Sequence, residues 1–331
     1  KALSRLANAA RLFVARLFAI SREKKTSIYL LGSDPQFSQI LFPFLKAVTG
    51  RKKIAYWCFD MYPEAIIADS DSSLVKAMAK TVKPLMRACY RFADLIVDLG
   101  PCMKKRLNEY RHKAQSSTLT PWALKEPDSP VKQDASVREE LFGTGVRLGL
   151  LYSGNLGKAH DYALFLHLAR RLKHRDPSIR FTFAGRGNRF EELQSELGSE
   201  DTNIRIAGFA SEEELERRLA AADIHLMSLR ANWDGIVVPS KFFGSLAVGR
   251  PVLYAGSQES DIGRWVGQYE CGLVLGEENI DSIADQLVQL AAEPETLQSW
   301  QGNAFSAYQN EFSKKTVMDG WDQILQQQIN R

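Results

Sequence analysis

The chain has 331 residues, 45% hydrophobic and 25% charged, the balance of an ordinary globular protein at a length that favours two domains over one. Its formal charge of +4 hides an asymmetry, because residues 1–120 hold 21 Lys and Arg against 9 Asp and Glu while the remainder is acidic. No apolar run reaches the ~18 residues of a membrane-spanning helix, and the basic first half points to an anionic surface or ligand rather than to nucleic acid.

The first residue is Lys1 and no signal-peptide pattern follows, so the sequence is expected to start inside a longer gene product. Its opening, KALSRLANAARLFVARLFAI, sets Leu3, Leu6, Ala10, Phe13 and Leu17 on one helical face with Arg5, Arg11 and Arg16 mostly elsewhere, a basic amphipathic helix. Strand TSIYLLG, helix FSQILFPFLKAV and strand KKIAYWCFD then form a βαβ unit, hence a parallel sheet. A second basic helix, Leu74 to Phe92, carries Lys76, Lys80, Lys83, Arg87 and Arg91, and strand DLIVDLG, a helix from Met103 and the extended STLTPW follow.

Residues 126–145 are polar, rich in Pro and Asp and without an apolar period, which marks a linker. Beyond it the alternation restarts with RLGLLYSG, IRFTFAG, NIRIAG, DIHLMSL, RPVLYAG and CGLVL, separated by helical segments, enough for a full doubly wound sheet. The expected organisation is therefore α/β: a Rossmann-like domain over 1–125, the linker, a second Rossmann-like domain over 146–300, and C-terminal helices over 301–331 that pack back towards the first domain.

Two loops carry chemistry. In LYSGNLGKAHDY, Gly154 and Gly157 follow a buried strand and precede a helix, where bare amides and the positive helix end can approach an anion, with Lys158 and His160 able to add charge. In DGIVVPSKFFGSLAVGRPVLYAG, Pro239 suits a first helical turn, and helix amides plus Lys241 are what a departing diphosphate needs as charge grows on its oxygen. The bland reading of each, a glycine-shaped turn and a solvated lysine, stands beside the functional one. Both loops sit at carboxyl ends of strands in one sheet, where ligands bind in open α/β folds.

Four cysteines (Cys58, Cys89, Cys102, Cys271) lie far apart without a CxxC pair, and the five histidines form no ligand cluster, His112 and His174 reading as surface helix residues. Asp69-Ser70-Asp71 matches a DxD metal pattern but precedes a helix, so capping is the expected role and no metal is expected. No GxGxxG with an acidic residue about 20 positions on opens either sheet, which disfavours a dinucleotide dehydrogenase.

The runs YSGNLGKAHD, AGRGNRFEEL, NIRIAGF with SEEELERRLAAADIHL, and PSKFFGSLAVGRPVL resemble the nucleotide-sugar domain of glycosyltransferase family 4, in particular bacterial enzymes of exopolysaccharide and O-antigen assembly. The likeness covers 146–300 well and CFDMYPE more loosely. It implies the GT-B fold, two Rossmann-like domains facing a cleft, here with the first domain short of its opening strands. It also implies that Gly154, Asn155 and Gly157 face the diphosphate and sugar from one side, and Lys241 with the amides of Val238, Pro239 and Ser240 from the other. Gly185, Arg186 and Gly187 would lie beside the nucleoside, with Gly208-Phe209 against the base.

The chain departs from the family where a glutamate is common at the position of Gly244 and another at Ile236, and where Asn155 replaces an arginine, leaving diphosphate charge to Lys158, Lys241 or His160. On the first domain Asp60, a catalytic candidate that is as readily a turn cap, and Ser33-Asp34 end strands, and Ser33, Asp34 and Tyr62 are the candidates for the acceptor side. The expectation is a retaining, metal-independent hexosyltransferase with no cofactor, its donor a UDP-sugar and its acceptor a lipid-linked or oligosaccharide polysaccharide precursor. It would work from the cytoplasm against the anionic inner membrane. The alternative is an inactive partner or nucleotide-sensing subunit on the same fold.

Overall fold

A computed structural model of the chain describes residues 28–50 and 52–330, with Arg11 and Ala15. The amphipathic opening stretch, with Leu3, Leu6, Phe13, Leu17, Arg5 and Arg16, lies outside the described residues. The chain divides into two compact units, one of Lys1–Thr120, Gly235–Val238 and Met318–Arg331 and one of Pro121–Asp234 and Pro239–Val317.

In the first unit β1 (Ile28–Gly32), β2 (Lys53–Trp57), β3 (Leu95–Asp98) and β4 (Gln115–Thr118) form a parallel sheet in sequential order. The short apolar run of β3 is buried along its whole length, as a central strand covered on both faces must be. Helix Leu41–Thr49 is tied to the sheet by Lys46, whose Nζ donates to the Asp94 carboxylate at 2.7 Å while that carboxylate accepts from the Ile54 amide. Under it Gln39 Nε2 donates to the hydroxyls of Tyr56 and Tyr90, at 2.8 and 3.0 Å, so two buried tyrosines keep their polar ends satisfied. Trp321, from the late segment of this unit, meets Trp57 edge-on at 5.1 Å between centroids.

The helix read as Leu74 to Phe92 is two, Ser73–Thr81 and Lys83–Tyr90, broken at Val82, with Pro84 in the first turn of the second where its missing N–H costs nothing. Asp69 is the last residue of a short helix, Glu64–Asp69, and the side chain that caps the next one is Ser72, so the capping role falls on the serine and not on either aspartate. His112 lies beyond helix Pro101–Asn108, half-buried, with its pKa lowered by that burial, and is not a surface helix residue. All four cysteines are free, three of them buried.

The second unit is a six-stranded parallel sheet in the order β10-β9-β8-β5-β6-β7. Its strands are β5 (Leu148–Asn155), β6 (Ile179–Arg186), β7 (Ile204–Ala207), β8 (Ile224–Ser228), β9 (Val252–Ala255) and β10 (Gly272–Leu275). Helix Ala163–Arg175 buries Phe165, Leu166, Leu168, Ala169 and Leu172, a stripe at helical spacing, and ends on Lys173, His174 and Arg175, where cations suit the helix dipole. Phe181 and Phe183 on β6 are fully covered, each contributing roughly 1.5–3 kcal/mol of transfer free energy.

Residues read as a linker contain helix Ala135–Phe142, capped by Asp134, with Leu141 and Phe142 buried in this unit's core. Arg138 of that helix pairs at 2.8 Å with Asp223, which also accepts from the Gly149 amide at 2.6 Å. Arg250, 4% exposed, donates to the carbonyls of Ala220, Ala222, Val248, Gly249 and Val131, holding three chain segments together.

Candidate functional site

In the order of the larger sheet, β5 runs outward through β6 to β7 on one side and the chain returns through β8 to β9 and β10 on the other, so connections change direction between β5 and β8. These two strands pair at only two positions, Leu150 with Ile224 and Leu151 with His225, and beyond them the carboxyl ends part. Such a switch point is where an open α/β sheet makes its crevice. The loop after β5 and the helix Lys241–Ala247 meet there.

Gly154, with φ +116°, is the second-last residue of β5 and lies under the side chain of Lys241: an added Cβ would stand 3.1 Å from Lys241 Cε. The ammonium of Lys241 donates to the Asn155 carbonyl at 2.9 Å and to the Tyr152 hydroxyl, and lies 3.9 Å from the centre of the Tyr152 ring. Burial lowers its pKa from the ordinary lysine value to about 7. Ser240 occupies the N-cap with no side-chain bond, and Pro239 precedes it, outside the first turn.

His160 Nδ1 donates to the Ser228 carbonyl at 2.5 Å, and its ring lies edge-on to Tyr152. Burial first and the charge of Lys241 second bring its pKa down to about 4, so at neutral pH it holds a hydrogen bond and carries no charge. In the ligand-free chain it therefore adds no charge to the loop. Gly157 shapes the turn by accepting from the His160 amide at 3.0 Å, and the Lys158 side chain is exposed. Asp161, next in line, is held by Arg189 at 3.5 Å and Arg230 at 3.4 Å, and its amide donates to Ser228 Oγ.

Gly185 and Gly187 are small for a steric reason. A Cβ on Gly185 would fall 2.1 Å from the Gly154 carbonyl oxygen, and one on Gly187, with φ +121°, would fall 2.6 Å from Asn155 Oδ1. The end of β6 therefore packs directly on the backbone of the β5 loop, and Leu156 N donates to the Arg186 carbonyl at 2.8 Å. The Arg186 guanidinium covers the exposed Phe209 ring at 4.5 Å, a flat open shelf beside these glycines. Gly208 is exposed, with open space where a Cβ would stand and its carbonyl accepting from Arg218 at 3.0 Å, and Gly244 faces Leu219 in ordinary contact, with room for a side chain.

Val238 is counted with the first unit, as is Ile236, which is 2% exposed and accepts from the Met61 amide through its carbonyl. A core role explains why no carboxylate stands at 236. In that same unit Ser33 is buried, its Oγ accepting from the amides of Phe59 and Asp60 at 3.1 Å each. Ser33 thus sets the backbone of the loop instead of presenting its hydroxyl. Asp60, three residues past the end of β2, makes an isolated bridge with Val237, and its pKa is raised by burial and then by the charge of Asp34. Tyr62 accepts from Gln36 Nε2 at 2.8 Å and packs on Phe37. Among the described residues no group of three or more His, Cys, Asp and Glu could hold a metal ion.

The structure thus gathers Lys241, Gly154, Asn155 and His160 in one crevice, with Gly185 and Gly187 behind the same loop. Sequence reasoning missed Tyr152, Asp161 and Ser228. The tyrosine was visible only as one more large residue in a buried strand.

Residues 147–293 match the family described as glycosyl transferases group 1. A probable glycosyltransferase, WbjE, of Pseudomonas aeruginosa is 24% identical over 269 residues, 80% of this chain and 66% of that protein. The amylovoran biosynthesis glycosyltransferase AmsK of Erwinia amylovora is 25% identical over 148 residues, 44% of this chain and 36% of the relative. The chain thus spans about two thirds of the first relative and about a third of the second. Among solved structures, Anabaena Alr3699/HepE in complex with UDP superimposes with a TM-score of 0.70 at 12% identity, over 90% of this chain and 78% of the other. The chain has the two-Rossmann GT-B fold, and its residues 147–293 are similar to the glycosyl transferases group 1 family.

Proposed function

We propose that the chain transfers a hexosyl unit from a UDP-linked sugar to a hydroxyl of a polysaccharide precursor, with retention of configuration and without a metal. The observation that carries this reading is the Lys241 ammonium lying across Gly154 at the carboxyl ends of β5 and β8. The names of two curated relatives and the UDP bound to Alr3699/HepE support it.

In this reading the bond from the anomeric carbon to the β-phosphate oxygen breaks, UDP leaves, and the acceptor oxygen bonds to the same face, its proton passing to the departing phosphate. Charge grows on the leaving oxygen, and Lys241 with the bare backbone of Gly154 and Gly157 stabilises it, Lys158 adding charge from the same loop. Arg186 and Phe209 take the nucleoside side, and Asp60, Asp34 and Tyr62 the acceptor. Calorimetry with UDP and GDP is the test, and failure of both to bind at millimolar concentration removes the reading. A coupled assay for release of UDP from the donor separates an enzyme from a nucleotide-sensing partner subunit, which binds without turnover.

The acceptor in this reading is lipid-linked, and the chain attaches to the cytoplasmic face of the inner membrane. Supporting it, Lys80, Arg87 and Arg91 are exposed, and Leu74, Met78 and Leu85 on the same two helices are 70, 62 and 51% exposed. Each cation near an anionic leaflet adds ~1 kcal/mol. Lys83 is already paired with the buried carboxylate of Glu64 at 3.0 Å and is left out of that count. No helix of the described residues is long and apolar enough to cross a membrane. Sedimentation with liposomes should show binding that requires anionic lipid and falls with salt; equal recovery with neutral vesicles at low salt removes the membrane role.

A further inference from the structure

The geometry points to Tyr152 as the positioning residue that holds the Lys241 ammonium over Gly154, with its hydroxyl and not its ring alone fixing the cation for a diphosphate. This rests on the donor-site reading above.

Tyr152 is fully buried on β5 and its ring stacks on Phe183 at 6.1 Å, so packing restrains its orientation. Its hydroxyl donates to the Asn155 carbonyl at 2.9 Å, which leaves an oxygen lone pair as acceptor for Lys241. The Asn155 carbonyl accepts from Lys241 as well, so lysine, tyrosine and the end of β5 close a small ring of hydrogen bonds. Two of the ammonium's three N–H bonds are used in this way, and the third is left for a ligand oxygen. The face of the tyrosine ring adds a further attraction for the cation.

The ionisable groups facing Lys241 are Tyr152 and His160. Burial keeps the tyrosine protonated and the histidine neutral at pH 7, while the nearby Asp161 is engaged by Arg189 and Arg230. Among the described residues the partners of the ammonium are thus uncharged, and burial opposes its charge. Tyr152 is the neutral partner that offsets this. The glycine at 154 fits the same account, because any side chain there would press on the stem of Lys241.

The test compares Tyr152→Phe, which keeps the ring, with Tyr152→Leu, which removes ring and hydroxyl, and with Tyr152→His, which keeps a ring and an acceptor. UDP-glucose binding is read by calorimetry, and the Lys241 titration by carbon NMR of labelled lysine on the ligand-free chain, with Lys241→Met assigning the signal. Tyr152→Phe should weaken UDP-glucose about tenfold at neutral pH, the order of one hydrogen bond to a charged group, and move the Lys241 midpoint to lower pH. Tyr152→Leu should lose more and Tyr152→His less. Wild-type affinity and an unmoved midpoint in Tyr152→Phe would overturn the assignment. A midpoint that moves in a chain whose wild type binds no UDP-glucose supports Tyr152 as the positioner of Lys241 while removing the donor-site reading.

Discussion

If Lys241 must be charged to hold a diphosphate, donor binding is linked to its proton. Burial brings the free lysine to a pKa of about 7, and a bound diphosphate raises it again by adding an opposite charge. The affinity is therefore fully present below the free-protein pKa and is lost as pH rises through it, until the bound-state pKa is reached. With only the ammonium form binding, affinity at about pH 8 should be about one tenth of that at about pH 6, and each mole bound near pH 8 should take up close to one proton. UDP-glucose is the suitable ligand, since its diphosphate diester keeps a constant charge over this range. His160, with a pKa of about 4, and Tyr152, shifted upward by burial, do not titrate in it. Calorimetry in two buffers of different ionisation enthalpy reads both affinity and proton uptake. Lys241→Arg, whose guanidinium stays charged, should bind with no pH slope. A flat profile in the wild type, or the same slope in Lys241→Met, would refute the linkage.

Three further outcomes are expected. Lys241→Ala should lower turnover by roughly 10²-fold with folding intact, the order for loss of one preorganised charge-stabilising donor, while added chelator leaves the rate unchanged; strict dependence on a divalent ion would return attention to Asp69 and Asp71. Gly185→Ala should abolish UDP binding and lower the melting temperature, because its Cβ would overlap the Gly154 carbonyl oxygen at 2.1 Å; unaltered binding would show that the two strand ends are looser than described. Arg250→Met should destabilise the second unit by about 3 kcal/mol, read by urea unfolding, since several buried carbonyls lose their donor at once, and a loss under about 0.5 kcal/mol would mean that water replaces the guanidinium.

The parallel sheets were legible because their strands are short apolar runs ended by glycine, as in LYSG and FTFAG. Lys241 and Gly154 were legible because helix starts and glycine turns follow such strands. What escaped notice depends on partners far along the chain. Helix Ala135–Phe142 reads as polar linker because only Leu141 and Phe142 enter the core, and its hold on the unit is Arg138 with Asp223. Helix Asp261–Gln268 contains Gly263 and Gly267, which mask its period, although the Ser260 cap was a local sign. Tyr152 became informative only once a lysine 89 residues away was seen on it. His160 has a residue type that suggests charge, and only its burial reverses that.

Residues Gly235–Val238 enter the first unit between two stretches of the second. They are not a loose excursion, for Met61 donates to the Ile236 carbonyl, Val237 bridges Asp60, and Gly235, with φ +71°, leaves no space for a Cβ against the Cys102 carbonyl. On a ribosome, the early sheet is made long before this tetrapeptide and the Trp321 segment emerge. The usual order, in which an N-terminal domain finishes before the next begins, is closed to this chain. Its first unit needs pieces delivered after β8 and again with the Trp321 segment, and a fragment cut at Thr120 lacks the acceptor for Met61 and the ring against Trp57 however long it is given to fold.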